Sequence, residues 1–364
     1  MKLNRLNSGP NGAPNPARGV QGFTLVELMV GLAVGLFVAL AAISIFVSTR
    51  TLQTVSSSGT RMSENSRLAM ELLHKDLRSA GFLGCRSRGA ELPVNLLAVG
   101  NARFLDTATS LAGIRGSRGT GGAFAPALNA TLAGLAPNAN SDFLSVRVPV
   151  EPLSLGLSVP MTSASGVPQV FAAVPGNTLS SGSIVLIANC KAGAVFQVTE
   201  ADPSATGTLT HAVGGAFNPG NVASDFKHTF RGDTAVYRLQ TNHYYIAPGT
   251  HAGTNSMWRL SFPNPDNPLV APVAEEVVQG IDRMVVTYGV DKEDQIVNKY
   301  VTADAVSSWD GVVAVRVQLL SSTVKDGVAL SAQSASFAGS TVVATDRRLR
   351  TEVTQVVTLR SHAP

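Results

Sequence analysis

Residues 23–47 read FTLVELMVGLAVGLFVALAAISIFV, and this stretch decides the fold of the N-terminal part of the chain. Apart from Thr24, Glu27 and Ser44 it is apolar, and it is long enough to cross the ~30 Å hydrocarbon core of a bilayer as a helix. Helix is the expected state because backbone N–H and C=O groups in lipid must pair within the segment. The sequence therefore predicts a transmembrane helix over 23–47.

Charges on the two sides of this run predict its orientation. Residues 1–22 carry three basic side chains and no acid, and the next charge after Glu27 is Arg50. By the positive-inside rule the N-terminus stays in the cytoplasm and residues 50–364 lie outside it. A secretory signal peptide would have an apolar core of about 7–15 residues and then a small-x-small cleavage site, and neither feature is found. A plain signal anchor explains the segment except for Glu27.

Glu27 is the residue that a simple anchor does not require. An ionised carboxylate in hydrocarbon is costly and is normally paired and functional, although one near the interface can snorkel or stay protonated. Residues 22–28, GFTLVEL, resemble the prepilin-peptidase signature of type IV pilins and type II secretion pseudopilins. The resemblance implies a leader over residues 1–22, cleavage between Gly22 and Phe23, and N-methylation of Phe23.

The same resemblance implies an assembly role for Glu27. Cleavage creates a positive amine on Phe23, and the Glu27 carboxylate of a neighbouring subunit neutralises it within an apolar bundle. Two charges that are each costly alone become tolerable as a pair. The pairing would set the axial register of a subunit that leaves the membrane and joins a filament.

An amphipathic pattern continues the helix beyond the apolar run, to about Ala80. One face is formed by residues that recur with a 3.6-residue period: Leu52, Val55, Gly59, Met62, Ser66, Ala69, Leu73, Leu77 and Ala80. Gly81 follows the last of them and predicts the end of the helix. We expect one long helix over 23–80, with Gly59 as the first place where it would bend or break.

Asp76–Cys85, which reads DLRSAGFLGC, resembles the helix end of PilW-type minor pilins, D-x-R-x-A-G-[FY]-x-G-C. Two C-terminal blocks resemble the same family less specifically, WDGVVAVRV at 309–317 and RRLR at 347–350. The resemblance implies a type IV pilin-like α+β fold. In this fold the first half of a long N-terminal helix lies in the membrane, and the second half packs on a β-rich head of antiparallel strands.

Composition and alternation also predict a β-rich head, over residues 81–364. Charged residues make up 14% of the chain and aromatic residues 6%, a mix typical of a loop-rich secreted domain. Strands are predicted at 144–150, 183–188, 194–198, 234–240, 258–262, 283–290, 313–319 and 350–359. The glycine-rich stretch 115–122 lacks the strand and helix that flank a phosphate-binding loop, and it is predicted to be a flexible surface loop.

The chain contains two cysteines, Cys85 and Cys190. An even pair in a domain exported to an oxidising compartment can form a disulfide. The alternative is a pair of small buried hydrophobic side chains, because sequence spacing says nothing about the distance between them.

No pattern in the sequence indicates catalysis or metal binding. H-E-x-x-H, C-x-x-C, G-x-S-x-G and P-loop motifs are absent, and the six histidines lack metal-ligand spacing, so we expect neither cofactor nor metal. His228 and His243 are predicted on loops or strand surfaces, and Tyr244 and Tyr245 as sheet residues and not an adhesive pair. Residues 291–294 are predicted to be a hairpin turn, because they lack the D-x-D-x-D-G pattern of a calcium loop.

The formal net charge of +4 does not indicate nucleic-acid binding. Three of the 28 basic side chains lie in residues 1–22, and the remaining 25 nearly balance the 24 acidic ones. A nucleic-acid interface needs clustered lysines and arginines, and no such cluster stands out in the rest of the chain.

The resemblance implies a non-catalytic minor pilin that helps prime type IV pilus assembly and supports twitching motility. It would cross the bacterial inner membrane once with its head in the periplasm, and then enter the extracellular pilus. Its partners would be prepilin peptidase, other minor pilins, the major pilin and the inner-membrane assembly platform. A type II secretion minor pseudopilin is the nearest alternative. A signal-anchored periplasmic enzyme or binding protein is the alternative from another class, and it predicts an intact leader.

Overall fold

The structure is a computed structural model that describes residues 22–82, 84, 94–98, 113–153, 171–172, 178–226, 228, 230, 234–291 and 297–359. The leader up to residue 21, Cys85 and residues 292–294 of the predicted turn lie outside this part of the chain.

One long helix, α1 (Leu25–Ser79), forms the N-terminal part of the described chain and extends over 55 residues. It spans two compact units, one up to Thr54 and one from Val55 onward. It continues through Gly59, the first candidate position for an interruption, without a break. A single glycine costs a helix only ~1 kcal/mol relative to alanine. The helix ends before Gly81, whose φ of +67° is the left-handed conformation expected of a glycine at a helix end.

The buried face of α1 is shorter than its amphipathic pattern predicts. Its buried residues are Ser66, Ala69, Met70, Leu73, Asp76 and Leu77. Leu52, by contrast, is exposed. Periodicity shows which side of a helix is apolar, but it does not show where along the helix the neighbouring sheet begins.

The remaining elements are short helices and strands. The short helices are α2 (Ala130–Ala133) and α3 (Pro203–Thr206), with single 3₁₀ turns at Ala303–Ala305 and Trp309–Gly311. The strands up to the middle of the chain are β1 (Val94–Asn95), β2 (Ile114–Gly119), β3 (Phe124–Ala125), β4 (Phe143–Leu153), β5 (Phe171–Ala172), β6 (Ile184–Ala188), β7 (Gly193–Gln197) and β8 (Thr208–Leu209). The later strands are β9 (Ala235–Pro248), β10 (Asn255–Phe262), β11 (Glu275–Gln279), β12 (Ile281–Val290), β13 (Lys299–Thr302), β14 (Val312–Ser322), β15 (Ala335–Phe337), β16 (Ser340–Val342) and β17 (Arg350–Thr358).

Two main sheets are built from these strands. The larger has nine strands in the order β1-β7-β6-β9-β4-β2-β3, with β10 beside the second half of β9 and β11 beyond it. Strand β9 organises this sheet, because β4 pairs along one of its edges while β6 and β10 share the other. The second sheet is antiparallel, in the order β13-β12-β14-β17.

Helix α1 and the two sheets enclose the main hydrophobic core. The helix contributes Ala69, Met70, Leu73 and Leu77, and Ala80 follows directly after it. The sheets contribute, among others, Leu144, Val146, Tyr244, Ile246, Met284, Val286, Val315, Val317, Leu319 and Val357. Each of the eight predicted strands is present, and β9 extends beyond its predicted end to Pro248. The predicted α+β class, a long apolar N-terminal helix packed with a β-rich antiparallel head, is confirmed.

Ser141 and Asp142, directly before β4, connect the two sheets. The Ser141 hydroxyl accepts a hydrogen bond from the N–H of Met284 at 2.8 Å, and Asp142 Oδ2 accepts one from the N–H of Val286 at 2.8 Å. Both donors lie on the part of β12 that does not pair with β13. Side chains next to one sheet therefore accept hydrogen bonds from backbone N–H groups of the other sheet, which would otherwise lack a partner strand there. Burial raises the pKa of the Asp142 carboxyl, although the backbone donors oppose the shift.

The glycine-rich stretch 115–122 contains a strand, so the prediction of a flexible surface loop is wrong. Strand β2 pairs with β4 from Ile114 to Ser117. At Gly116 a Cβ atom would overlap the hydroxyl of Tyr288, a buried side chain of the second sheet. Gly116 therefore leaves space for the Tyr288 ring. The sequence around Gly116 does not show this role, because Tyr288 lies on a distant strand.

We predict that Gly116→Ala destabilises the protein. The added methyl group must displace the Tyr288 ring, and overpacking of this kind lowers the free energy of unfolding by about 1–3 kcal/mol. Chemical denaturation of the purified full-length chain in detergent measures the change. Gly122→Ala is the matched control, because nothing lies within 4 Å of its Cβ position. Equal stabilities of the two variants would contradict this role of Gly116.

Candidate functional site

The processing segment begins with a capped helix end. Thr24 Oγ1 accepts a hydrogen bond from the N–H of Glu27 at 3.2 Å, and Glu27 Oε2 accepts one from the N–H of Thr24 at 3.2 Å. This reciprocal pair is a capping box. Phe23, one residue before it, is 84% exposed. The carboxylate of Glu27 therefore has a local structural role, which the T-x-x-E spacing indicates but which our sequence-based interpretation of Glu27 did not include.

The first part of α1 is exposed and apolar. Its most hydrophobic 18-residue window has a mean hydropathy of 2.7, and none of that window is buried within the chain. The core helix of a soluble protein would be mostly buried instead. By length and composition the helix can cross a membrane.

Further along α1, a buried carboxylate fixes the helix against the larger sheet. Asp76 Oδ2 accepts hydrogen bonds from Asn242 Nδ2 at 2.6 Å and from the Tyr244 hydroxyl at 2.7 Å, and both donors lie on β9. Burial raises the pKa of the Tyr244 hydroxyl and the Asp76 carboxylate raises it further, so the tyrosine keeps its proton and donates. We call Asp76, Asn242 and Tyr244 the helix-docking site.

Polar side chains of β10 and β11 support the helix-docking site. The Ser261 hydroxyl donates to Asn242 Oδ1 at 2.8 Å. Arg259 lies opposite Tyr244 in the β9–β10 ladder and forms an ion pair with Glu275 of β11. The buried carboxylate of the helix is thus connected to three successive strands. No sequence signal could have revealed this connection, because Asp76 and Asn242 are 166 positions apart.

The residues that follow Asp76 in its motif place the chain that leaves the helix. The Phe82 ring packs edge-on against Tyr237, with ring centroids 4.8 Å apart. A Cβ atom on Gly84, whose φ is +78°, would lie 2.9 Å from the Cβ of Ala188. The aromatic and glycine positions of D-x-R-x-A-G-[FY]-x-G-C therefore correspond to contacts with the larger sheet.

Comparison with known proteins agrees with the features at the two ends of the chain. Residues 243–361 match the family described as type IV pilus-assembly protein W, and residues 17–43 match the prokaryotic N-terminal methylation motif. The resemblance to PilW-type prepilins is confirmed. A type IV-like pilin from Thermus thermophilus is similar at 16% identity, over 53% of this chain and 90% of that chain, but a TM-score of 0.21 does not establish a shared fold. No curated protein matches the chain.

The basic run 347–350, which lies within the range matched by the PilW family, has structural contacts. Arg350 donates two hydrogen bonds to the Asp346 carboxylate, at 2.6 and 2.8 Å, and a third to Asp282 at 2.7 Å. The hydrogen bonds to Asp346 raise the pKa of the Arg350 guanidinium. Arg348 is buried and donates to the carbonyl of Gly253. Both guanidinium groups therefore serve contacts within the head.

The predicted strand-surface position of His243 is wrong. This residue is buried in β9, where its Nδ1 atom lies 2.8 Å from the Ser145 hydroxyl. The sequence of β9 shows which side chains share a face of the strand, but it does not show that other parts of the protein cover both faces of the larger sheet at His243. Tyr244 and Tyr245 are buried sheet residues, as predicted, and His228 lies in a bend outside the strands. Within the described ranges, no three His, Cys, Asp or Glu residues are grouped so that they could hold a metal ion.

Asp76→Ala is expected to lower the free energy of unfolding by about 3 kcal/mol. The substitution leaves the Asn242 amide and the Tyr244 hydroxyl buried without their acceptor, and an unsatisfied buried donor costs about 1–3 kcal/mol. Thermal and chemical unfolding of the full-length chain in detergent measure the loss. Glu71→Ala is the control, since Glu71 is exposed on the same helix and such surface substitutions usually change stability by less than ~0.5 kcal/mol. Unfolding of Asp76→Ala at the wild-type midpoint would show that the docking site does not hold the helix.

Proposed function

We propose that the chain is a PilW-like minor pilin that is processed by prepilin peptidase and helps initiate type IV pilus assembly. In this proposal the chain first spans the inner membrane, with the head in the periplasm. It then joins other minor pilins and the major pilin on the assembly platform and supports pilus display and twitching motility. The protein acts through packing and charge pairing, without catalysis.

The position of the Glu27 carboxylate supports this proposal best. It lies 3.2 Å from the backbone nitrogen of Thr24, the residue next to the proposed new N-terminus at Phe23. The apolar part of α1 begins at the same place. A subunit that leaves lipid for a bundle of such helices must carry both its amine and its carboxylate into an apolar environment. Pairing between subunits makes that transfer less costly.

The family matches favour a pilus over the two alternatives. The PilW match covers residues 243–361, the C-terminal part of the head, and supports a pilus subunit over a type II secretion pseudopilin. The methylation-motif match covers residues 17–43 and supports processing over a permanent signal anchor. We accordingly propose a cleaved leader over 1–22, a membrane-spanning segment over 23–47, and an extracytoplasmic head from residue 81.

We also propose a Cys85–Cys190 disulfide, which would tie the chain after α1 to the turn between β6 and β7. Cys85 lies outside the described residues. Residues close to the two cysteines nevertheless lie near each other, since a Cβ atom on Gly84 would lie 2.9 Å from the Cβ of Ala188. The exported location of the head favours oxidation. Non-reducing intact-mass analysis tests the bridge, and a mass equal to that of the fully reduced chain would exclude it.

Gly22→Ala is expected to abolish removal of the leader. Wild-type protein purified from membranes should begin at N-methyl-Phe23, whereas the variant should retain Met1, because the peptidase signature places glycine directly before the cut. Intact-mass and N-terminal analysis distinguish the two forms. Gly31→Ala is the matched control and should be processed normally, since it changes a glycine within α1. A wild-type chain that keeps Met1, or one cut beyond residue 40, would exclude the prepilin route.

Glu27→Gln separates capping from charge pairing. Glutamine can still accept the hydrogen bond from the N–H of Thr24 in a capping box, but it cannot neutralise an amine. We expect normal processing and at least about a tenfold loss of the subunit from sheared pili, which corresponds to ~1.4 kcal/mol. Thr24→Val, which removes the hydroxyl, is the control for capping. Wild-type incorporation of Glu27→Gln would show that Glu27 serves only to cap the helix.

A further inference from the structure

Strand β17 forms one edge of the second sheet and is long, regular and open. It pairs with β14 at nine consecutive positions, from Arg350 opposite Ser322 to Thr358 opposite Ala314, without a shift in register. Among the described residues no strand pairs with its other edge. The β15–β16 hairpin lies near β17 but forms no ladder with it. The side chains of Thr354, Val356 and Thr358 are exposed.

The outermost strands at the other ends of the two main sheets are short or irregular, whereas β17 is neither. Strands β1 and β3 have two residues each, β13 has four, and β11 meets β10 at a register shift. Short strands, bulges, prolines and exposed charges are the usual means by which soluble proteins prevent pairing with other chains. Residues 353–358, VTQVVT, have none of these features and are rich in β-branched residues. The two charged members of β17 are already engaged, Arg350 with Asp346 and Glu352 with Gln318.

The hydrogen-bonding pattern shows which backbone groups face the open edge. The N–H of Leu359 bonds to the carbonyl of Val313, and the N–H of Thr323 bonds to the carbonyl of Leu349. Antiparallel strands alternate between bonded and non-bonded pairs. The odd-numbered residues of β17 therefore bond to β14, and the N–H and C=O groups of Thr354, Val356 and Thr358 point away from the sheet.

Helix α1 packs on the inner face of the second sheet, over β14 and β17. The Ser66 and Ser321 hydroxyls lie 2.8 Å apart, and His74 Nδ1 lies 3.0 Å from Gln355 Nε2. Ser321 pairs with Thr351, four residues before Gln355. The eight helical residues span about 12 Å, close to the roughly 13 Å of four strand residues. The docked part of α1 therefore runs in the same direction as β17.

This direction argues against a second copy of the same chain as the occupant. Two copies joined by antiparallel pairing of β17 with itself would be related by a two-fold axis perpendicular to the sheet. That axis reverses every direction in the plane of the sheet, including that of the docked helix. Subunits that enter a filament from one membrane share one helix direction. Symmetric pairing of β17 is therefore incompatible with the proposed assembly.

We propose that the open edge of β17 binds an extended, uncharged segment from the head of a different pilus subunit, which adds a strand to the second sheet. Main-chain hydrogen bonds from Thr354, Val356 and Thr358 provide the binding, and their exposed side chains select β-branched neighbours. The identity of the partner as a pilus subunit rests on the proposed function, whereas the strand-addition geometry rests on β17 itself.

Site-specific photocrosslinking in cells that assemble pili tests the proposal. A photoreactive amino acid is placed at position 354, 356 or 358 of the full-length chain, and the crosslinked peptides are sequenced by mass spectrometry. The expected result is one segment of one other pilin, with the crosslinked position moving by two residues at each step. A crosslinked position that shifts by two residues on the partner for every two residues on β17 is specific to a paired strand. Crosslinks to a second copy of this chain, to another segment of the same chain, or to scattered positions would overturn the proposal.

Two edge-blocking variants provide an independent test. Val356→Pro removes an outward-facing N–H without removing a bond to β14, and proline is tolerated at such edge positions. Val356→Lys adds the charge with which natural edges are protected. Both should reduce crosslinking from position 354 at least tenfold while processing at Gly22 and the unfolding midpoint stay unchanged. Val213→Lys, which charges another exposed valine, should have no effect. Undiminished crosslinking in both edge variants would refute strand addition, and normal processing in these variants would leave the prepilin proposal intact.

Discussion

The two hydrogen bonds that Asp76 accepts from Asn242 and Tyr244 hold helix α1 in one position on the head. A carboxylate taken out of water is costly unless its oxygens are hydrogen-bonded. Because of this cost, the helix is stable only where both donors of β9 meet it. Apolar contacts from residues such as Leu73 and Leu77 contribute free energy but tolerate small shifts, since hydrophobic neighbours of similar size can replace one another. The polar contact therefore selects the register, and the apolar contacts stabilise it.

The arrangement of the two sheets depends on that position of the helix. Their inner faces meet α1 in a common core, and two further contacts connect them directly. Asp142 accepts a hydrogen bond from the free edge of β12, and the Tyr288 ring occupies the space that Gly116 leaves. Tyr288 also packs edge-on against Trp309, with ring centroids 4.9 Å apart. A shift of either sheet would break a buried hydrogen bond and create a clash, so the head has little freedom to rearrange.

The same helix has opposite surroundings in its two parts. Near Glu27 its apolar side chains are exposed among the residues that the structure describes, and near Asp76 it is enclosed by the head. In the proposed assembly the first part is covered by lipid and then by neighbouring helices, where charge pairing at Glu27 and packing determine position. The head contributes a separate contact at the edge of β17, where backbone groups determine position. The two contacts rely on different chemistry and lie on different parts of the chain.

Sequence by itself determined the long helix, its end at Gly81 and the eight main strands, because these depend on local periodicity and on the conformational freedom of one glycine. It also determined the prepilin resemblance, which rests on contiguous residues around Gly22 and Glu27. Tertiary structure alone decided that Gly116 lies in a strand, that His243 is buried, and that Asp76 meets two side chains of β9. Each of these facts depends on which atoms from distant positions come together. Alternation along one strand shows which residues share a face, but not what covers that face. The sequence around a glycine likewise does not show whether the glycine provides flexibility or leaves space for a side chain from a distant strand.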